Sequence, residues 1–218
     1  MPGGWTRTEG VYFRFSRELP REDEAILKAI PRKQRAEVRR ALGSSLQAEV
    51  GRDLDTHYRL YAESVRNLGT PVFPCALFAA VLDGMDADIL TVRGADGAPL
   101  ASVLSLYFRG TVYPYWGGGT RAARTARANE LMYFALMRHA AARGCTRFDF
   151  GRSKAGTGAF AYKKNWGFEP RPLVYAVKGA ARETNPLSPK YRLQVALWKK
   201  LPLWAANGLG PPIARGLG

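Results

Sequence analysis

Between residues 89 and 116 the chain runs through three β-type segments, ILTVR, LASVLSLYFR and TVYPYW, with ADGAP and RG at the turns between them. Both separators are short and rich in turn formers, so the stretch predicts strands folded back on one another as hairpins. Such a sheet has to bury a face, and the segments on either side supply cover. Upstream, Leu54, Tyr58, Tyr61, Val65 and Leu68 recur at intervals of four and three, which sets them on one helical face. TPVFP interrupts that pattern, and a second apolar helix follows over residues 75–82. Downstream, a helix over 128–143 carries Met132, Tyr133, Leu136, Met137, Ala140 and Ala141 on one face, with Gly144 as its stop.

The remaining segments extend this plan. RFDFG reads as a strand, SKAGTG as a glycine-containing loop, AFAYKKNW as a short helix and PRPLVYAVK as a last strand. Toward the N-terminus, residues 11–19 alternate like a strand and REDEAILKAI reads as a short helix. PRKQRAEVRRALG reads as another, with Pro31 at the favoured first position and Gly43 at the stop, and LQAEV as a short strand. Two helices, three antiparallel-type strands, helix, strand, helix and strand predict an α/β (α+β) fold with a mixed central sheet flanked by helices. No internal repeat is present.

With 218 residues and 46% hydrophobic composition, the chain can bury one sizeable core. Charge is distributed unevenly: residues 1–120 hold 15 basic and 14 acidic side chains, whereas residues 121–218 hold 18 basic and 4 acidic. A C-terminal half this cationic draws anions toward it: nucleic acid, a nucleotide or lipid pyrophosphate, or an acidic membrane face. The only cysteines, Cys75 and Cys145, are far apart and in no metal or redox spacing, so they are expected reduced and buried. His57 and His139 lack partners at metal or triad spacing and are expected packed or at the surface. No metal or cofactor is called for. The first residues lack a basic flank followed by an apolar run, and no stretch has the length of a membrane span, so a cytoplasmic location is expected.

Several residues carry the groups a reaction would need. Asp149 alternates with Phe148 and Phe150, so its carboxylate is expected to leave the core, either into a cleft or onto Arg152 or Arg147. Gly151, Gly156 and Gly158 permit unusual backbone angles near the start of a helix, with Arg152, Ser153 and Lys154 beside them as candidate substrate or phosphate contacts. Arg121, Arg124 and Arg127 recur every third residue ahead of the long helix, where Asn129 is placed to cap it. Tyr115 and Arg124 are further candidate substrate contacts. Arg32, Arg35 and Arg39 share a helical face that either tracks a phosphodiester chain or is simply solvated. Composition alone makes Lys163 a surface lysine. The tail from 179 to 218 mixes Trp198, Leu201, Leu203 and Trp204 with Lys199 and Lys200, and either meets an anionic membrane or folds back over apolar surface.

The order of elements resembles that of the Gcn5-related acetyltransferases, whose central sheet splays open between two strands to admit an acyl donor. FDFGRSKAGTGAFAYKKNWGFEP, together with ANELMYFALMRHAAARG and PRKQRAEVRRAL, more narrowly resembles the Fem-type (FemAB-related) aminoacyl transferases. SVRNLGTPVFP and NPLSPKYRLQVALWKKLPLWAANGLGP are similar to the Fem-related proteins of bacterial exopolysaccharide and exosortase (PEP-CTERM) systems. The likeness runs from about residue 31 to the C-terminus. It implies a division into 1–30, a remnant of a preceding domain or a linker, 31–178, the acetyltransferase-like domain, and 179–218, a basic aromatic tail.

The resemblance also implies a chemistry. Fem-type enzymes move an amino acid from aminoacyl-tRNA to an amine on a cell-wall precursor, and their aromatic-lysine pair at the reacting ester corresponds here to Tyr162 and Lys163, with Asp149 as the third catalytic candidate. The implied partners are tRNA and an anionic cell-envelope precursor, with the tail resting on the inner membrane. Two other readings stand beside it. One is an acyl-CoA-dependent N-acyltransferase, although the [RQ]-x-x-G-x-[GA] pyrophosphate turn is absent before the long helix. The other is a non-catalytic basic module that docks on RNA or membrane.

Overall fold

The computed structural model describes residues 4–178 and 192–216. In chain order the elements are β1 (Trp5–Glu18), α1 (Asp23–Ala29), α2 (Arg32–Leu42), β2 (Gln47–Gly51), α3 (Leu54–Leu68) and α4 (Cys75–Gly84). They continue with β3 (Ala87–Arg93), β4 (Pro99–Phe108), β5 (Thr111–Gly119), α5 (Arg121–Ala126) and α6 (Ala128–Ala142), then β6 (Arg147–Lys154), α7 (Gly158–Asn165), β7 (Pro170–Lys178), α8 (Arg192–Trp198) and α9 (Leu203–Arg215). Seven strands form one sheet in the order β2-β3-β4-β5-β6-β1-β7. Every pairing is antiparallel except that of β5 with β6. The predicted mixed sheet flanked by helices is the fold observed.

The meander forms where expected. Its second turn uses Arg109 and Gly110, both at positive φ (47° and 70°), the backbone that matches the twist of a two-residue hairpin. β5 then runs into three consecutive glycines for a packing reason. A Cβ at Gly118 would lie 2.8 Å from the Tyr61 Cα of α3, and one at Gly117 would lie 3.1 Å from the Tyr133 hydroxyl of α6. Helices approach β5 closely on both faces because those positions have no side chain.

The N-terminal segment requires a correction. A boundary at residue 30 would cut through the core, because β1 lies inside the sheet between β6 and β7. Phe15, Ile26 and Ile30 are buried with Phe148, Trp166 and Phe168 in the main cluster. Arg17 adds a tie: its guanidinium donates to Ala29 O at 2.9 Å and Trp166 O at 3.1 Å and lies 4.4 Å over the Phe168 ring. Burial lowers its pKa to about 10.

The tail is corrected in part. Residues 179–191 lie outside the described residues, but α9 folds back onto the domain through Ala206, Gly210 and Ala214, buried at helical spacing. A Cβ at Gly210 would meet Val72 at 3.0 Å, so a small residue is needed there. Arg66 donates to Leu201 O at 3.3 Å and closes the turn between α8 and α9. Leu193, at 72% exposure, and Trp204, at 79%, remain open to solvent. Among the described residues no helix is long and apolar enough to cross a membrane.

Smaller differences have local causes. Leu68, assigned to the buried face of α3, is exposed, while His57 is fully buried. His57 Nδ1 lies 2.9 Å from Ser102 Oγ, a hydrogen bond that satisfies one ring nitrogen inside the core. Burial lowers its pKa to about 4. Cys145 is buried as expected, Cys75 only half-buried, and both are free thiols. His139 is not isolated: its Nε2 lies 2.8 Å from Asp88, which also accepts from Tyr107 at 2.8 Å and Arg143 at 3.1 Å.

Candidate active site

β5 and β6 run parallel and pair only at Thr111 with Arg147 and Val112 with Phe148. Beyond those pairs β5 stays with β4 as far as Gly119, while β6 stays with β1 as far as Lys154. Pro114 in β5 has no N–H to offer a ladder, and the β4–β5 register slips beside it, between Leu104 and Ser105. The sheet therefore splits, and past Phe148 the β5 side of β6 has no strand partner.

Lys163 fills part of that gap. Thr157 caps α7 by accepting from Phe160 N at 3.2 Å, while its own hydroxyl donates to Lys154 O at 2.8 Å. Phe160 meets Phe13 and Phe15 edge to face, with ring centroids 5.4 Å and 5.2 Å away, which fixes the rotation of the helix. Lys163 Nζ is thereby brought to Phe150 O at 2.6 Å and Arg152 O at 3.1 Å. An ammonium carries three donors. Two are committed to β6, and the third is available to a substrate oxygen. Burial lowers the Lys163 pKa to about 8, opposed by the nearby Asp149, so the group is predominantly an ammonium at neutral pH but near its titration point.

Tyr162 leaves α7 in a different direction from Lys163. Its ring packs toward α6, with centroids 5.9 Å from Tyr133 and 6.3 Å from Trp166, and burial pushes its pKa well up. Its hydroxyl is buried and has no hydrogen-bond partner among the described residues. The expected catalytic pair is thus divided between two sides of one short helix, with a turn of about 100° per residue. Burial also pushes up Glu130, in the first turn of α6.

Asp149 requires a second correction. It is 2% exposed and pairs with neither Arg152 nor Arg147. Arg14 of β1 binds its Oδ2 through Nε at 2.7 Å and through Nη2, while Gly151 N donates to Oδ1 at 2.8 Å. The carboxylate thereby ties Arg14 to the β6 turn. Gly151 allows this turn with φ of 67°.

The other candidates disperse. Ser153 is buried, Lys154 is half-buried, and Arg152 is exposed. Arg152 lies 4.9 Å over the Tyr12 ring and donates to Tyr175 Oη at 2.9 Å. Gly156, with φ of 75°, and Gly158 serve the turn into α7. Tyr115 is exposed and packs its ring 4.6 Å from Trp116.

Arg124 lies on α5, a helix not expected from the sequence, and lines a pocket of about 290 Å³ with Ser64, Asn67, Thr120 and Arg121. Asn129 does not cap α6. That place belongs to Arg127, at φ of 62°, whose carbonyl receives Glu130 N and Leu131 N. Arg35 is diverted from the expected basic stripe by donating to Ile30 O at 3.1 Å, leaving Arg32 and Arg39 exposed on α2. Arg14 escaped sequence reading altogether. The strand alternation that places it opposite Phe13 and Phe15 was visible, but its partner lies 135 residues away.

The profile of the acetyltransferase (GNAT) domain matches residues 30–164. Among solved structures the chain is similar to FemX, with TM-score 0.68 and 17% identity, covering 87% of this chain and 68% of that one. It is also similar to the C-terminal domain of a putative lysylphosphatidylglycerol synthetase from Agrobacterium fabrum, with TM-score 0.59 and 13% identity, covering 81% and 63%. The L-PGS structure from Bacillus licheniformis gives TM-score 0.56 and 13% identity, covering 91% and 68%. At these identities the structures speak for the fold, of which the chain spans about two thirds of each neighbour's length. No curated protein sequence matches. A profile match over more than half of the chain, on a mixed sheet that splits between its two parallel strands, leads to one assignment: the protein belongs to the acetyltransferase (GNAT) family.

Proposed function

We propose that the chain is an aminoacyltransferase that forms an amide on an anionic cell-envelope or exopolysaccharide precursor, with aminoacyl-tRNA as donor. The observation that carries this reading is Lys163 Nζ, held by two β6 carbonyls at the split edge with one donor uncommitted. In the reaction a neutral substrate amine attacks the ester carbonyl, and negative charge builds on the carbonyl oxygen. A fixed ammonium in a partly buried site stabilises that charge more than it stabilises the ground state. Collapse breaks the ester C–O bond, and the departing ribose oxygen takes the proton released by the amine. No protein base is needed, which agrees with an Asp149 occupied by Arg14.

The donor assignment is favoured over acyl-CoA by the segment ahead of α6. α5 and the αL residue Arg127 stand where a phosphate-binding turn would lead into the long helix, and Glu130 N and Leu131 N already donate to Arg127 O. The work of the enzyme is placed in the cytoplasm, at the inner face of the membrane. Exposed Leu193, Leu197 and Trp204, close in sequence to Arg192, Lys199 and Lys200, suit contact with an anionic surface. Transfer assays with aminoacyl-tRNA and with acetyl-CoA, on wild type and Lys163→Ala, test the proposal. Turnover from aminoacyl-tRNA that depends on Lys163 supports it, and turnover from acetyl-CoA alone sinks the donor assignment.

A further inference from the structure

Three arginines stand in one row across the sheet. Pairing of β1 with β6 sets Arg14 opposite Arg152, and pairing of β1 with β7 sets the same Arg14 opposite Arg171. Directly paired residues project to the same face of a sheet, and all three side chains are exposed. Phe13 and Phe15, their alternates on β1, face α7 through Phe160. The row is therefore on the face away from α7. Lys163 reaches the split from one side of the sheet, and on the other face the row runs from Arg152 beside the split, across Arg14, to Arg171 at the β7 edge.

Like charges placed directly opposite destabilise a sheet, and ion pairing among the described residues relieves this only at Arg14. Among the described residues only Asp149 offers it a carboxylate, and only to Arg14. Arg152 is held ready by other means: it lies over Tyr12 at 4.9 Å and donates to Tyr175 Oη at 2.9 Å, with the two tyrosine rings 5.5 Å apart. Lys154, opposite Tyr12, adds a further positive charge on that face.

We infer that the row Arg152, Arg14 and Arg171 is an anion site that binds the pyrophosphate of the acceptor and presents its amine to the split in the sheet. Adjacent strands are about 4.8 Å apart, so the row spans roughly 10 Å. That length suits a compact dianion gripped by guanidinium forks. A bilayer would require protruding apolar groups among the charges, and the row has none. Calling the ligand the acceptor rests on the transferase reading above. The binding itself does not, because it is measured without turnover.

Calorimetric titration of the full chain with inorganic pyrophosphate tests the site. Saturable binding is expected, weakened at least about tenfold by Arg171→Gln or by Arg152→Gln and lost in the double variant. Lys163→Ala should bind pyrophosphate as the wild type does, which separates failure of this site from failure of the catalytic lysine. Circular dichroism melts establish that the variants are folded, and Arg171→Lys, which keeps the charge without the fork, should bind with intermediate strength. No binding by the wild type, or equal binding by the folded double variant, overturns the inference. So would a single-stranded oligonucleotide or phosphatidylglycerol vesicles that bind through these arginines and are not displaced by pyrophosphate.

Discussion

The two halves of the sheet are built on different terms. β3, β4 and β5 are covered on both faces, by α3 and α4 on one side and α6 on the other, and the side chains of β3 and of the middle of β4 are buried while most of those of β5 are half-buried. β6 and β1 pack α7 on one face, and the opposite face of β6, β1 and β7 carries Arg14, Arg152, Arg171, Tyr12 and Tyr175. Close packing leaves the interior of the first half little room to rearrange. The second half trades burial for exposed charge at the place where the sheet splits. Stability and function are thus laid side by side in one sheet, divided by the line between β5 and β6.

That division makes substitutions in the two halves fail differently. The largest effect is expected from Lys163→Ala, which should lower turnover by about 10²–10³-fold, the usual cost of losing one oxyanion donor, while a thermal melt shows a folded protein. A pH profile sharpens the point. If the ammonium is the active form, the rate limb governed by Lys163 falls as pH rises through about 8, and Lys163→Arg should move that limb to higher pH. A fall that persists unchanged in Lys163→Arg would assign it to another group.

In the covered half, Gly118→Ala should cost about 1–3 kcal/mol in chemical denaturation, because its Cβ would meet α3 backbone at 2.8 Å. The same exchange at Gly151, in the open half, meets nothing within 4 Å but imposes φ of 67° on an alanine. About 1–2 kcal/mol is expected there, from backbone strain alone. Equal insensitivity at both positions would break the contrast between the halves.

His57 gives the covered half an acid limit. Its folded pKa of about 4 lies below the ordinary 6.5, so between those values the unfolded chain binds more protons. Its contribution is fully present above pH 6.5 and is lost as pH falls through 4, by up to about 1.4 kcal/mol per pH unit. Urea midpoints measured across that window should flatten in His57→Gln. The smallest effect is expected from Arg171→Gln, which should change stability by no more than about 0.5 kcal/mol. A large loss there would mean that the arginine row holds the sheet together and is not reserved for a ligand.

Lys163 shows how far the sequence could be read. The strand, loop and helix from Phe148 to Phe168 were legible, and the lysine was singled out through family resemblance. Its actual geometry, two carbonyls of β6 and one free donor, depends on where β5 leaves β6. The family resemblance pairs Tyr162 with Lys163, but one residue along a helix turns a side chain by about 100°, and Tyr162 packs against Tyr133 and Trp166.

Local pattern alone determined the α3 and α6 helices, the meander and its turns, and the glycine-bearing approach to α7, because hydrophobic periodicity and turn chemistry act over a few residues. It also determined the cationic C-terminal half. Tertiary structure alone decided that β1 lies inside the sheet, that Arg14 takes Asp149, and that Arg152, Arg14 and Arg171 share a row. Those outcomes depend on register between strands more than a hundred residues apart in the chain, and register is set by which faces are buried in the assembled core.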